Sequence, residues 1–383
     1  MTEHPASGRR LRPSIGARQQ CDDRRRFTRS FMRVCGVVCA VVLWPTGPVA
    51  ADAAGPTDYR SVITEVIVND AVTPVTTTDA SVSLPGAVIS VEGHDSFLWL
   101  RAAPGSTASI PGYEGEPYLR IDADGSVWRN QRSFSTYYNQ DRYGDAARPA
   151  IVDHSAEPLW EQVDDDGSWA WHDHRIHLME STPPIGAEPG DEVVNAVVPL
   201  VIDGRSIAVR VVATLQPSPS VVAPVVGAVI GCVLMAAGVM VWRRQRHVAS
   251  LAAVAIAGVA AGAAVVAGAG WWRDAPADTA PSVTWWALPA TAVLAVVVAA
   301  VTGRRSVFVA TAALVVAAVQ IVVWTIGRFD VLSAALIPTV LPAGLDRGLT
   351  VMALITAVGA AAMMVIAWLQ PASRSASVDA VND

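Results

Sequence analysis

No cysteine lies between Ala54 and Ser218; the four in the 383-residue chain are Cys21, Cys35, Cys39 and Cys232. That stretch can form no disulfide and offers no thiolate for nucleophilic attack or soft-metal capture. Its stability has to come from an ordinary apolar core, for which it is long enough. Lysine is missing from the whole chain, all 28 basic residues being arginine. With the abundance of Ala, Val and Gly, this fits the codon usage of a GC-rich bacterial genome and points to an actinobacterium. Ser-His-Asp elbows, phosphate loops and nucleotide fingerprints are missing too, so no familiar catalytic motif is present and a non-enzymatic role is expected. Only 16% of residues are charged, while 52% are hydrophobic and mean hydropathy is +0.37. Such a chain is too apolar for one soluble domain and too charged in its first half for a pure membrane bundle, which predicts a two-part protein.

Residues 1–53 read as an export signal that is cleaved. A basic run (Arg24, Arg25, Arg26, Arg29, Arg33) precedes an apolar core from Val34 to Trp44 and small residues around Ala51 and Ala53. The core is too short to span a bilayer comfortably. The run RRRFTR fits both a twin-arginine signal and an ordinary basic leader.

From Val221 onward five apolar runs recur: Val221–Trp242, Ala249–Trp272, Val283–Thr302, Ser306–Ile326 and Leu349–Leu369. Each is near the ~20 residues a helix needs to cross the hydrocarbon layer. They predict a transmembrane domain over 219–370 and a cytoplasmic tail over 371–383. Arg243, Arg244 and Arg246 follow the first run, and Arg304 and Arg305 separate the third from the fourth. By the positive-inside rule those loops are cytoplasmic and the segment 54–218 is extracytoplasmic. Trp242, Trp271, Trp272, Trp285, Trp286, Trp324 and Trp368 fall near the ends of the runs, where indole rings prefer the headgroup layer. Gly227 and Gly231, and Gly258 and Gly262, are spaced by four, which clears a helix face for close approach; the short loop between the first two spans makes them neighbours. None of the five runs contains Asp, Glu, Lys, Arg or His, and Gln320 is the one strongly polar side chain. Proton relays, ion paths and haem ligation need such groups at depth, so the bundle reads as an anchor or assembly module. The segment Val331–Leu345 is apolar but interrupted by Pro338 and Pro342, which predicts a stretch in the outer interface and no sixth span.

The segment 54–218 has 24 Asp and Glu against 10 Arg, a net charge of −14. It excludes nucleic acid as a partner and leaves the bilayer and an envelope protein. Runs such as VISVEG, FLWLRA, PYLRIDADGSVW and VVPLVIDGRSIAVRVVATL alternate or are β-branched, and Asp124-Gly125 and Asp203-Gly204 between them signal tight hairpins. An all-β domain is expected, a β-sandwich of immunoglobulin-like kind, ahead of the α-helical transmembrane bundle. Residues Asn130–Pro149 (NQRSFSTYYNQDRYGDAARP) predict a long ordered loop over the sandwich.

GYEGEPYLRI (Gly112–Ile121), WRNQRSFSTYYNQDRYG and WHDHRIHLM occur in this order ahead of several spans. On these motifs the chain resembles a recurrent actinobacterial family of exported multi-pass membrane proteins. The resemblance covers about Gly112 to Pro184 and, loosely, the span layout. It implies that architecture and supplies no catalytic residues. Leu178 stands where an aromatic is expected after the last histidine.

The stretch WAWHDHRIHLM (Trp169–Met179) concentrates the candidate chemistry. Read as a strand, it puts Trp169, Trp171, Asp173, Arg175 and His177 on one face and Ala170, His172, His174, Ile176 and Leu178 on the other. His172 and His174 then project side by side, as His-x-His metal ligands do. A third ligand comes from His177 after a bend, from His154 or His94, or from a carboxylate. Imidazole without thiolate suits Zn or Cu, and Met179 adds a thioether for copper. The competing account is a structural network in which Asp173 pairs with Arg175, and Trp169 and Trp171 fill the core. Glu114 and Glu116 in GYEGEPY resemble a carboxylate pair, although Pro117 and the flanking glycines favour a shaped turn. Two functions follow: a membrane-anchored envelope protein presenting an acidic domain for interaction, sensing or scaffolding, or metal handling through His172, His174 and His177. A hydrolase acting on an envelope polymer has only scattered carboxylates to support it.

Overall fold

A computed structural model describes residues 54–369, apart from 76–80, 141, 145, 181, 246–248, 276–278 and 280–282. The expected export signal, the tail and Arg246 lie outside the described residues. Among those described, the strands are β1 (Tyr59–Val68), β2 (Ala71–Pro74), β3 (Ser81–Leu84), β4 (Ala87–Glu92), β5 (Phe97–Ala102), β6 (Ala108–Pro111), β7 (Pro117–Ile121), β8 (Val127–Asn130), β9 (Trp160–Asp164), β10 (Ser168–His172), β11 (Glu192–Ile202) and β12 (Arg205–Leu215). The helices are α1 (Ser135–Tyr138), α2 (Val222–Arg244), α3 (Ala249–Asp274), α4 (Thr284–Thr302), α5 (Val307–Ile326) and α6 (Ala343–Leu369).

The strands form two antiparallel sheets, ordered β2-β1-β12-β11-β6-β7-β8-β9 and β10-β5-β4-β3. Alternation makes them: in β12 Ile207, Val209 and Val211 are buried while the intervening Ala208 and Arg210 are partly solvated. Ile110, Leu119, Ile121, Leu200 and Val209 of the larger sheet share one core with Ile89, Leu98, Leu100 and Trp171 of the smaller, so the sheets pack as a sandwich. Both Asp-Gly turns close hairpins. Asp203 (φ 49°) and Gly204 (φ 74°) lie between the paired Ile202 and Arg205, the two-residue turn in which both residues take positive φ. Twelve strands split eight and four exceed the seven to nine of an immunoglobulin domain.

The helices α2 to α6 are each long and apolar enough to cross a membrane. The first of them lies chiefly along the last rather than along its sequence neighbour, although it also touches α3. Gly227 explains this, because a Cβ there would fall on the Gly348 backbone of α6, and Gly231 faces Ile355. Gly262 meets nothing within 4 Å, so the second glycine pair makes no such seat.

The last helix starts at Ala343, before the apolar run that marks it in sequence, and so carries Asp346 and Arg347 in buried positions. The expectation of spans free of ionisable groups is therefore corrected at this end of the bundle. Arg328 donates to Asp346 and lies between the Trp271 and Trp324 rings, 4.4 Å from each centroid. Those two indoles are buried around a cation, whereas Trp272, Trp286 and Trp368 are exposed. Arg347 donates to the carbonyls of Val331 (2.8 Å), within the 3-10 turn Phe329–Leu332, and of Ala334 (2.7 Å) and Ala335 (3.1 Å) just beyond it, satisfying backbone that no continuing helix partners. This segment also joins the sandwich. Thr57 and Leu336 exchange backbone hydrogen bonds of 3.0 and 2.8 Å, Ala335 N–H donates to Asp58 Oδ1 at 2.7 Å, and His94 Nε2 donates to Ile337 O at 3.0 Å.

Candidate metal centre

Strand β10 runs at the edge of the smaller sheet and ends where His172 pairs with Phe97 of β5. The strand does not continue to Met179, which corrects the two-face assignment beyond His172. Asp173 stops it. Its fully buried carboxylate accepts from Arg175 N (3.0 Å), Arg175 Nε (2.8 Å), an Arg175 terminal nitrogen (2.6 Å) and Trp171 Nε1 (2.9 Å). Ile176 N–H closes a turn onto Asp173 O at 3.1 Å. The guanidinium and these donors hold the Asp173 acid below its usual value against the opposing effect of burial, while Asp173 raises Arg175. Turning the chain here carries His174 and His177 back to His172.

The three imidazoles form a triangle, with centroids 4.9 Å (His172–His174), 4.8 Å (His172–His177) and 5.1 Å (His174–His177) apart. One ligand atom from each lies within 4.8 Å of the others. Hydrogen bonding orients two of the rings. A carbonyl only accepts, so His174 Nε2 carries the proton it gives Tyr138 O at 2.9 Å, and His177 Nδ1 carries the one it gives Leu178 O at 3.0 Å. In neutral rings this leaves His174 Nδ1 and His177 Nε2 as inward lone pairs. His174 Nδ1 faces Met179 Sδ at 2.6 Å, and His177 Nε2 faces His172 Nε2 at 2.8 Å. The remaining nitrogen, His172 Nδ1, is buried without a hydrogen-bond partner. A backbone carbonyl on the outer N–H is how proteins fix the tautomer of a metal-bound histidine.

Burial favours the neutral form of His172 and His177. His172 and His177 are each 2% exposed. Desolvation, then the neighbouring His177 and His174, pushes His172 well below its usual 6.5, and desolvation with the charge of Arg142 takes His177 down to about 4. His174 and Met179 are partly exposed and form the open side of the cluster.

The long loop supplies the walls. Glu116, buried, accepts from Ser133 Oγ, from Ser135 Oγ at 3.2 Å and from Glu114 N at 3.0 Å. It anchors α1, whose Tyr138 ring lies 4.3 Å from that of His174. Tyr113 donates to Asn139 Oδ1 at 2.5 Å and accepts from His174 N at 2.9 Å, and burial drives its phenol well above 10.0. Glu114 stands apart, on the surface with Arg148 (3.2 Å) and His154 (3.2 Å). Glu114 and Glu116 are therefore not a catalytic pair: one carboxylate is a loop anchor and the other a surface ion-pair partner. His154 is bound there and His94 at the helix junction, so neither joins the triangle. Trp169 and Trp171 pack into the sandwich core. Tyr113, Tyr138 and Asn139 carried no sequence signal as site residues beyond membership of the aromatic, polar loop and the GYEGEPY motif.

Compared with family models, curated proteins and solved structures, the chain has no match.

Proposed function

We propose that this is a membrane-anchored protein of the cell envelope whose acidic β-sandwich binds copper through His172, His174, His177 and Met179. The observation that carries the proposal is the pair of carbonyl-fixed tautomers, which aim His174 Nδ1 and His177 Nε2 inward beside a thioether. Three imidazoles and one thioether, with no carboxylate or thiolate, favour copper over zinc and exclude the hard cations. The network around Asp173 is the frame of this centre rather than an alternative to it. The arginine-rich loops support a sandwich on the extracytoplasmic side. Membership of the actinobacterial family of exported multi-pass proteins belongs to the same proposal, on the GYEGEPY and WHDHRIH motifs.

The test is titration of the full chain in detergent with Cu(I), held by a competing chromophoric chelator, and separately with Zn(II). Wild type is expected to take up one copper and to resist unfolding by about 2.7 kcal/mol more at a hundredfold excess over the dissociation constant. Met179→Leu is expected to lose Cu(I) affinity and keep most of its Zn(II) affinity, because only the soft donor is removed. Equal copper responses from wild type and His172→Ala/His174→Ala would refute the proposal.

A further inference from the structure

One ring of the histidine triangle is held from outside its own turn. His172 and His177 are enclosed, whereas His174 reaches the open side and takes its partners from the long loop. Tyr138 holds it twice: its carbonyl accepts from Nε2 at 2.9 Å, and its ring lies 4.3 Å from the imidazole between centroids.

Tyr138 is the last residue of α1, and a helix of four residues does not sustain itself. Glu116 holds it in place. Its carboxylate, 4% exposed, accepts from Ser133 Oγ ahead of the helix and from Ser135 Oγ, the first helical residue, at 3.2 Å. Ser135 Oγ accepts in turn from Tyr113 N–H at 3.2 Å, and the Tyr113 hydroxyl accepts from His174 N–H at 2.9 Å. The ring contact and the backbone contact of His174 therefore lead back to one carboxylate. Glu114 N–H, at 3.0 Å, is its third donor. Three converging donors suit a carboxylate, whereas a carboxamide would set its own N–H groups against one of them. Room for it comes from Gly112, where a Cβ would fall on the Glu116 carboxylate and on Ser135 Oγ.

We infer that Glu116 is a positioning residue of the metal centre: through α1 it fixes the tautomer of His174, and so which nitrogen faces the metal. The inference rests on the reading of the three histidines as a metal centre.

The test has a metal-free arm and a copper arm, both on the full chain in detergent. Without metal, nitrogen NMR of histidine-labelled protein reads the tautomer of His174, whose signal is identified by its loss in His174→Gln. Wild type is expected to show the Nε2-protonated form alone, and Glu116→Ala both tautomers in exchange. With Cu(I), Glu116→Ala is expected to bind about tenfold more weakly, the loss usual when the outer partner of a ligand is removed, and Glu116→Gln to fall between it and wild type. Gly112→Ala keeps the carboxylate but takes its space, and is expected to reproduce both effects. A merely structural anchor would lower the unfolding midpoint and move neither readout. A single wild-type tautomer, or wild-type copper affinity, in both Glu116→Ala and Gly112→Ala overturns the inference. Absence of copper binding by wild type would instead sink the metal reading, and the metal-free arm would still decide whether Glu116 sets the His174 tautomer.

Discussion

At Asp173 one carboxylate serves Trp171, the Arg175 backbone and both ends of the Arg175 guanidinium, and it is completely buried. Removing it strands a largely buried cation and an indole donor, so Asp173→Ala is expected to cost about 3–5 kcal/mol. Denaturant unfolding of the metal-free protein, followed by tryptophan fluorescence, measures this; a loss below about 1 kcal/mol would show that Arg175 finds solvent instead. His172 and His177 make a separate, pH-dependent contribution. Their folded pKa values lie below the unfolded value of about 6.5, so as pH falls the unfolded chain takes up protons first and stability declines. For His177 the window runs from about 6.5 to about 4, a loss of about 3 kcal/mol at 1.36 kcal/mol per unit. Asp173, whose folded pKa is also lowered, loses its contribution only below the usual carboxylate value. Unfolding midpoints of metal-free protein between pH 7 and 4 should therefore fall, and should fall less steeply in His172→Ala/His177→Ala. Parallel curves would place the titration elsewhere.

Elements meet where small residues or a turn let them. The seat of α2 on α6 is made by Gly227 against the Gly348 backbone, a contact with no room for a side chain. Gly227→Val is expected to push the two helices apart at about 1–3 kcal/mol. Gly262→Ala, which meets nothing within 4 Å, should be neutral or gain up to about 1 kcal/mol of helix propensity. Thermal unfolding in detergent compares them, and equal midpoints would mean that α2 is held by other contacts. In the sandwich, β10 ends at His172 because the Asp173 turn supplies backbone partners that a continuing edge strand would lack. Without that turn His177 would sit on the strand face opposite His172.

At the scale of the whole molecule, charge sets the expected orientation. Arg243 and Arg244 end α2, and Arg304 and Arg305 lie between α4 and α5. With five spans, cytoplasmic placement of these loops puts the C-terminus inside and the sandwich outside. A reporter active only in the cytoplasm is expected to work when fused after Asp383 and to fail when fused after Trp272. The reverse pattern would invert the protein and place the three-histidine cluster on the cytoplasmic side.

The part legible in sequence was that governed by local period and composition. Alternation in VVPLVIDGRSIAVRVVATL and the Asp-Gly pairs specify hairpins because side chains in a strand alternate and only certain residues accept positive φ. Runs of about 20 apolar residues specify spans because the bilayer has a thickness. Tertiary structure decided what depends on distant partners. Asp346 and Arg347 read as loop charges until Arg328, itself held between two indoles, pairs with Asp346 and three carbonyls accept from Arg347. His174 and His177 become inward-facing donors only when the carbonyls of Tyr138 and Leu178 take their outer protons. The first carbonyl lies 36 residues away in sequence. Periodicity places a ring on a face; only a folded neighbour selects which nitrogen keeps its proton.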